Sequence, residues 1–176
     1  VSPLGVYGAS KLAGEQAVAE SGAAHLILRT AWLYSNRGKN FLNTMLRLPA
    51  ERDELRVVND QSGCPTYADL VADASVQMLD GMFVGGTLRT EHCGLYHIAC
   101  QGETTWWGFA QRIIELAGFG ERVRVLPITT ADYPTAAKRP AYSVLSNARL
   151  ERVFGIRLPH WEEGLKRCLA ERVTGK

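Results

Sequence analysis

The sequence lacks any apolar stretch approaching the ~20 residues that a membrane-spanning helix needs. Its first residues, VSPLGVYGASK, hold no apolar signal core, so neither a membrane nor a secretory reading gains support. Charge of one sign is scarce too. Twenty Lys+Arg against eighteen Asp+Glu leave a formal net charge of +2, too small a balance to predict a nucleic-acid partner. Cysteine is sparse: Cys64, Cys93, Cys100 and Cys168 are scattered through 176 residues, a chain too large to need disulfide staples. They read as reduced thiols of a cytoplasmic protein. Internal repeats and low-complexity segments are absent. So are both glycine-rich phosphate loops, G-x-G-x-x-G and G-x-x-x-x-G-K-[ST]. What remains is 46% hydrophobic and 22% charged, the composition of an ordinary globular chain of about one domain.

Helix and strand patterns alternate. SKLAGEQAVAE reads as a helix, with Leu12, Gln16 and Ala19 along one side and Ala9, Ala13 and Ala17 along another. HLILRTAWLY, residues 25–34, reads as one strand whose nearly continuous apolar run suggests burial on both faces. A polar loop and a short helix ended by Pro49 follow, then a strand at 55–58 and the turn-rich DQSGCPT. ADLVADASVQML reads as a helix stacking Leu70, Ala74 and Met78. LYHIA and VRVLPI read as strands around the helix WWGFAQRIIELA, which Thr104 or Thr105 can cap and Gly118 can end. Ser146 is the expected cap of a helix through Phe154, and Pro159 opens a final helix with Glu162 and Glu163 near its positive end. The alternation predicts an α/β fold with a mainly parallel sheet.

Tyr7 and Lys11 form Y-x-x-x-K at a helix start, one turn apart and so on one face. An ammonium beside a phenol favours the phenolate, which suits a tyrosine to give a proton to a carbonyl near neutrality. With six tyrosines and five lysines, that spacing arises by accident in about one such chain in six. Several other candidates have bland readings. Cys93, His97 and Cys100 lie around a strand whose faces alternate, which disfavours zinc. Asp60 and Gln61 are read as ordering their own turn, Asp69 and Asp73 as a solvent face, and Trp106 and Trp107 as caps on the core.

The wider strings are more specific. P-L-G-V-Y-G-A-S-K-L-A-G-E resembles the catalytic helix of the extended short-chain dehydrogenase/reductases. L-R-T-A-W-L-Y, K-N-F-L-N-T-M-L-R-L, V-V-N-D-Q-S-G-C-P-T-Y-A-D-L-V-A, G-L-Y-H-I-A, G-E-T-T-W-W-G-F-A and R-P-A-Y-S-V-L-S follow in order. Together they resemble the dTDP-4-dehydrorhamnose reductase family from Pro3 to about Leu169.

The resemblance implies the C-terminal part of a Rossmann-like parallel-sheet domain plus a small α/β substrate-binding domain. Residues 1–60 would carry the cofactor side and the catalytic helix, and residues 61–176 mainly the substrate side, with the two interleaved. It implies NADPH or NADH as cofactor and a nucleotide sugar as substrate. Tyr7 would be the proton donor to the sugar C4 carbonyl. Lys11 would hold the nicotinamide ribose and support the Tyr7 phenolate. Trp32 would pack on the deoxysugar, and Asn40 and Arg139 would bind substrate, Arg139 at the diphosphate. The resemblance permits a homodimer and magnesium, without assigning metal ligands. An NDP-sugar epimerase or dehydratase and a non-catalytic nucleotide-sugar-binding protein stay open as alternatives. The family's glycine-rich loop would precede Val1, so the expectation is that a first part lies outside this sequence and that the chain alone binds NADPH weakly or not at all.

Overall fold

The computed structural model describes residues 2–3, 5–135, 137 and 139–173. The chain opens with helix α1 (Val6–Glu20) and strand β1 (Leu26–Arg29), followed by β2 (Leu33–Tyr34) and helix α2 (Phe41–Arg47). Then come β3 (Glu54–Val58), β4 (Ser62–Gly63), β5 (Thr66–Tyr67) and helix α3 (Ala68–Gly81). A hairpin of β6 (Phe83–Val84) and β7 (Thr87–Leu88) leads to β8 (Gly94–His97), β9 (Thr104–Thr105) and helix α4 (Trp106–Leu116). Strand β10 (Arg124–Ile128) and helices α5 (Ala148–Phe154) and α6 (Trp161–Val173) complete the order.

The α/β alternation is as expected, but the strands form two-stranded pairs rather than one wide sheet. Three pairs are parallel: β1 with β8, β3 with β10, and β2 with β5. Two are antiparallel: β4 with β9 and β6 with β7. Because β2 pairs with β5 and β3 with β10, residues before and after position 60 are interleaved.

The core forms where helical stripes meet these pairs. In α4, Phe109, Ala110, Ile113 and Ile114 are buried, the spacing of one helical face. Thr105 caps that helix by accepting from the Gly108 N–H at 3.1 Å, and Gly118 ends it at φ +77°, a conformation glycine adopts without steric cost. Helix α6 adds Trp161, Leu165 and Cys168, while α3 adds Ala74 and Met78.

Two sequence expectations are corrected. Residues 25–34 are not one strand, because the chain leaves β1 after Arg29 and re-enters extended pairing at Leu33. The N-cap of α5 is Asn147, not Ser146. The Asn147 side chain turns instead to Ala99, accepting from its N–H at 3.1 Å and donating to its carbonyl at 2.6 Å. A buried backbone unit there has no strand partner, and satisfying both its groups outweighs a local cap.

Candidate active site

Tyr7 and Lys11 are brought together as their spacing requires. The Lys11 ammonium lies 5.5 Å from the Tyr7 ring centroid, within the ~6 Å reach of a cation–π contact. Tyr7 is 75% exposed and α1 buries none of its residues, so the pair faces solvent. The helix is tied to the body by Arg29 of β1, which donates to Glu15 through Nε at 2.8 Å and through a terminal nitrogen at 2.5 Å. That bidentate fork holds the Glu15 carboxyl below the ordinary carboxylate range, against a smaller opposing effect of burial.

The strand break puts Trp32 in an unusual conformation. Its φ of +48° is the left-handed region, which costs a bulky residue about 1–2 kcal/mol. The DQSGCPT segment holds it there. Thr66 N–H donates to the Trp32 carbonyl at 3.1 Å. Gly63 lies over one face of the indole: a Cβ at that position would come within 2.6 and 2.7 Å of Nε1 and Cζ2 and nearer still to Cε2. Trp106 stacks on the other face, with ring centroids 3.6 Å apart and planes 8° from parallel. Phe41 packs on Trp106 at 4.7 Å and on Phe109 at 5.6 Å, linking the stack to the core. Trp106, expected only to cap the core, is therefore part of the Trp32 environment. Its sequence signal was an aromatic directly after the capping threonine. The partner it would find was not readable from that position.

Arg139 belongs to a strap laid against the same corner. Ser62, next to Gly63, donates its N–H to the Ala141 carbonyl at 2.8 Å and accepts at its own carbonyl from the Ser143 N–H at 2.9 Å. Arg139 sits two residues before Ala141 and is exposed. Asn40 lines the neighbouring cavity and also holds local structure. It accepts from the Asn43 N–H at 3.0 Å as cap of α2, and its amide nitrogen donates to the Ser35 and Arg37 carbonyls at 2.9 and 3.0 Å. It thus shapes the loop of residues 35–40, beside which lies an open cavity of 210 Å³ bordered by Leu33, Arg37, Lys39 and Ala68.

Other candidates settle into structural roles. Asp60 reaches beyond its own turn. It accepts from the Thr130 N–H and hydroxyl, and Gln61 donates to that same hydroxyl. Asp69 and Asp73 lie on an exposed face, as expected; there the Tyr67 hydroxyl donates to Asp69 at 3.0 Å, and Arg167 pairs with Asp73 at 3.3 Å. Burial pushes the Cys64 and Cys168 thiols up to about 12 and the Cys100 thiol upward as well, so all three stay protonated near neutrality and are poor nucleophiles. Among the described residues no three His, Cys, Asp or Glu side chains gather as a metal site would require, and no helix is long and apolar enough to cross a membrane.

The sequence profile of the RmlD substrate binding domain matches residues 1–174. The chain belongs to that family. It is 43% identical to a dTDP-4-dehydrorhamnose reductase of Burkholderia thailandensis, over 98% of this chain and 60% of that protein. It is 42% identical to one of Escherichia coli K12, over 98% of this chain and 58% of that protein. Among solved structures, a dTDP-4-dehydrorhamnose reductase of Bacillus anthracis in complex with NADP superposes with a TM-score of 0.85 at 38% identity, covering 97% of this chain and 57% of that one. An ortholog from Clostridium acetobutylicum gives 0.86 at 39% identity, covering 97% and 56%. Members of this family thus share the Rossmann-like α/β fold of the chain, which spans less than two-thirds of the length of these relatives.

Proposed function

We propose that this chain carries the proton donor and the substrate side of an NAD(P)H-dependent reductase that converts dTDP-4-dehydro-L-rhamnose to dTDP-L-rhamnose. The observation that carries this is the Tyr7–Lys11 pair, one turn apart and open to solvent, in a chain whose relatives bear that reductase's name. The pair fits the ribose end of a nicotinamide cofactor. No glycine-rich loop for the pyrophosphate end occurs in these 176 residues. Residues 1–60 bring the cofactor-side pair together with Trp32 and the loop of Arg37 and Lys39, and residues 61–176 bring Arg139 and the elements that hold Trp32 in place.

NADPH or NADH, when bound, supplies the hydride that adds to the sugar C4 carbonyl carbon. Tyr7 Oη gives its proton to the carbonyl oxygen, so C=O becomes CH–OH and the phenol becomes phenolate. The Lys11 ammonium stabilises that phenolate and donates to the ribose hydroxyls. Trp32 lines the sugar. Arg139, with Arg37 and Lys39 at the 210 Å³ cavity, supplies positive charge for the substrate diphosphate. Asn40 contributes by shaping the loop that carries Arg37 and Lys39.

The test is NADPH oxidation by the full gene product that carries this sequence, with dTDP-4-dehydro-L-rhamnose as substrate. Turnover is expected, and Tyr7→Phe is expected to lower kcat by about 10²–10⁴-fold with nucleotide-sugar binding retained. A Tyr7→Phe enzyme of undiminished kcat overturns the proton-donor role. NAD⁺ retained through every catalytic cycle would point to an epimerase instead.

A further inference from the structure

Trp32 is gripped on both faces, by Trp106 at 3.6 Å and by Gly63, which has no room for a Cβ. With Trp106 on one face and Gly63 over the Nε1–Cε2–Cζ2 part of the other, little apolar face is left for a sugar. Its indole Nε1–H has no acceptor among the described residues, and it is not among their buried unpaired side-chain atoms, in a residue that is itself only half-buried. The backbone at Trp32 is held at φ +48°, away from the strand geometry its neighbours adopt. An outlier of this kind persists only where its surroundings over-determine it, and such positions cluster at ligand sites.

We propose that Trp106 is a positioning residue of the substrate site: with Gly63 it fixes the plane of Trp32, so that Trp32 meets the sugar nucleotide through its rim and Nε1–H rather than through an apolar face. The inference rests on the reductase reading above. Trp106 suits the task because it is itself anchored, as the first residue of α4 behind the Thr105 cap and against Phe41 at 4.7 Å. A rim donor favours a ligand with an oxygen acceptor at that point, a hydroxyl or a phosphate, over one presenting only a methyl group.

The test compares Trp106→Leu and Trp106→Phe in the full gene product. Leucine keeps apolar bulk and removes the stack; phenylalanine keeps a stacking ring. Trp106→Leu is expected to raise KM for the nucleotide sugar about five- to tenfold, the size of an aromatic stacking contribution, and to change kcat less. Trp106→Phe is expected to recover KM to within about twofold. Thermal unfolding reads packing separately and should fall in both variants. Circular dichroism should show the exciton couplet of two stacked indoles in the wild type and in neither variant. A wild type that turns over while Trp106→Leu keeps its KM overturns the inference alone. Equal KM increases in both variants, or a missing couplet in the wild type, overturn it too. A wild type with no turnover on a dTDP-4-dehydro sugar overturns the functional reading, and this inference with it.

Discussion

Helices α1 and α4 are held in opposite ways. The fifteen residues of α1 include no buried one, whereas α4, with eleven, buries Phe109, Ala110, Ile113 and Ile114. The body around α2, α4 and α6 makes its own core, in which Phe109 meets Tyr34 at 5.2 Å and Trp161 at 5.9 Å. By contrast, α1 leans on the Glu15–Arg29 ion pair. The strand behind it, β1, pairs with β8 alone among the described residues. The Tyr7–Lys11 pair thus rides on a limb with no buried residue, while Trp32 is packed onto the body through Trp106 and Phe41. The contrast is between an element shaped by helix propensity and small residues and one shaped by burial, and the two should respond differently to the same kind of change.

The largest expected difference is in packing. Phe109→Ala removes a fully buried ring and should cost about 3–5 kcal/mol in urea unfolding. Leu12→Ala, on the half-buried side of α1, should cost less than about 1 kcal/mol, because little packed surface surrounds it to leave as a cavity. Equal costs at the two positions would erase the distinction between limb and body.

A smaller effect sharpens the same contrast within the body. Asn147→Ala would orphan both the N–H and the carbonyl of Ala99, which is fully buried. An unsatisfied buried group costs about 1–3 kcal/mol, so a loss of about 2 kcal/mol is expected. Asn147→Asp should not restore it at neutral pH, because one carboxylate oxygen would accept from the Ala99 N–H while the other, an acceptor, would face the Ala99 carbonyl. Unfolding midpoints of the three proteins check this, and an Asn147→Ala chain as stable as the wild type would show that water replaces the clamp.

What was legible in the sequence follows from how local each cause is. Helix α4 could be read because its cap, apolar period and terminating glycine lie within a few residues of one another. The Tyr7–Lys11 pair could be read for the same reason, since one helical turn sets its geometry. The break at Trp32 could not. A Trp in a run of Leu, Ile and Ala reads as strand, and the left-handed turn is held by Gly63, Thr66 and Trp106, all distant in sequence. Asn147 failed likewise: adjacency suggested that Ser146 was the cap, whereas an unpaired backbone unit at Ala99 decided what its neighbour does. The strings R-T-A-W and D-Q-S-G-C-P-T carried the family resemblance before their connection was visible. The structure gives a physical reason why they occur together, since one supplies the ring and the other the glycine and the amide that hold it.

The smallest expected effect concerns the tether of the limb. Arg29 holds the Glu15 carboxyl below its ordinary value, with a lesser contribution from His97. A carboxylate depressed in the folded state stabilises fully above its unfolded pKa, about 4.3, and loses that contribution as pH falls through the lower folded value. Both side chains are partly exposed, at 28% for Arg29 and 18% for Glu15, so solvent screening limits the pair to about 1 kcal/mol. Amide-exchange protection of α1, taken relative to β8, should therefore hold steady from neutral pH down to about 5 and decline below about 4. Glu15→Gln at pH 7 should show the same reduced protection with no further decline on acidification, and added salt should weaken the wild-type tether toward it. Protection that ignores both the substitution and the acid would mean that the ion pair does not hold α1, and that the limb stands on its helix propensity alone.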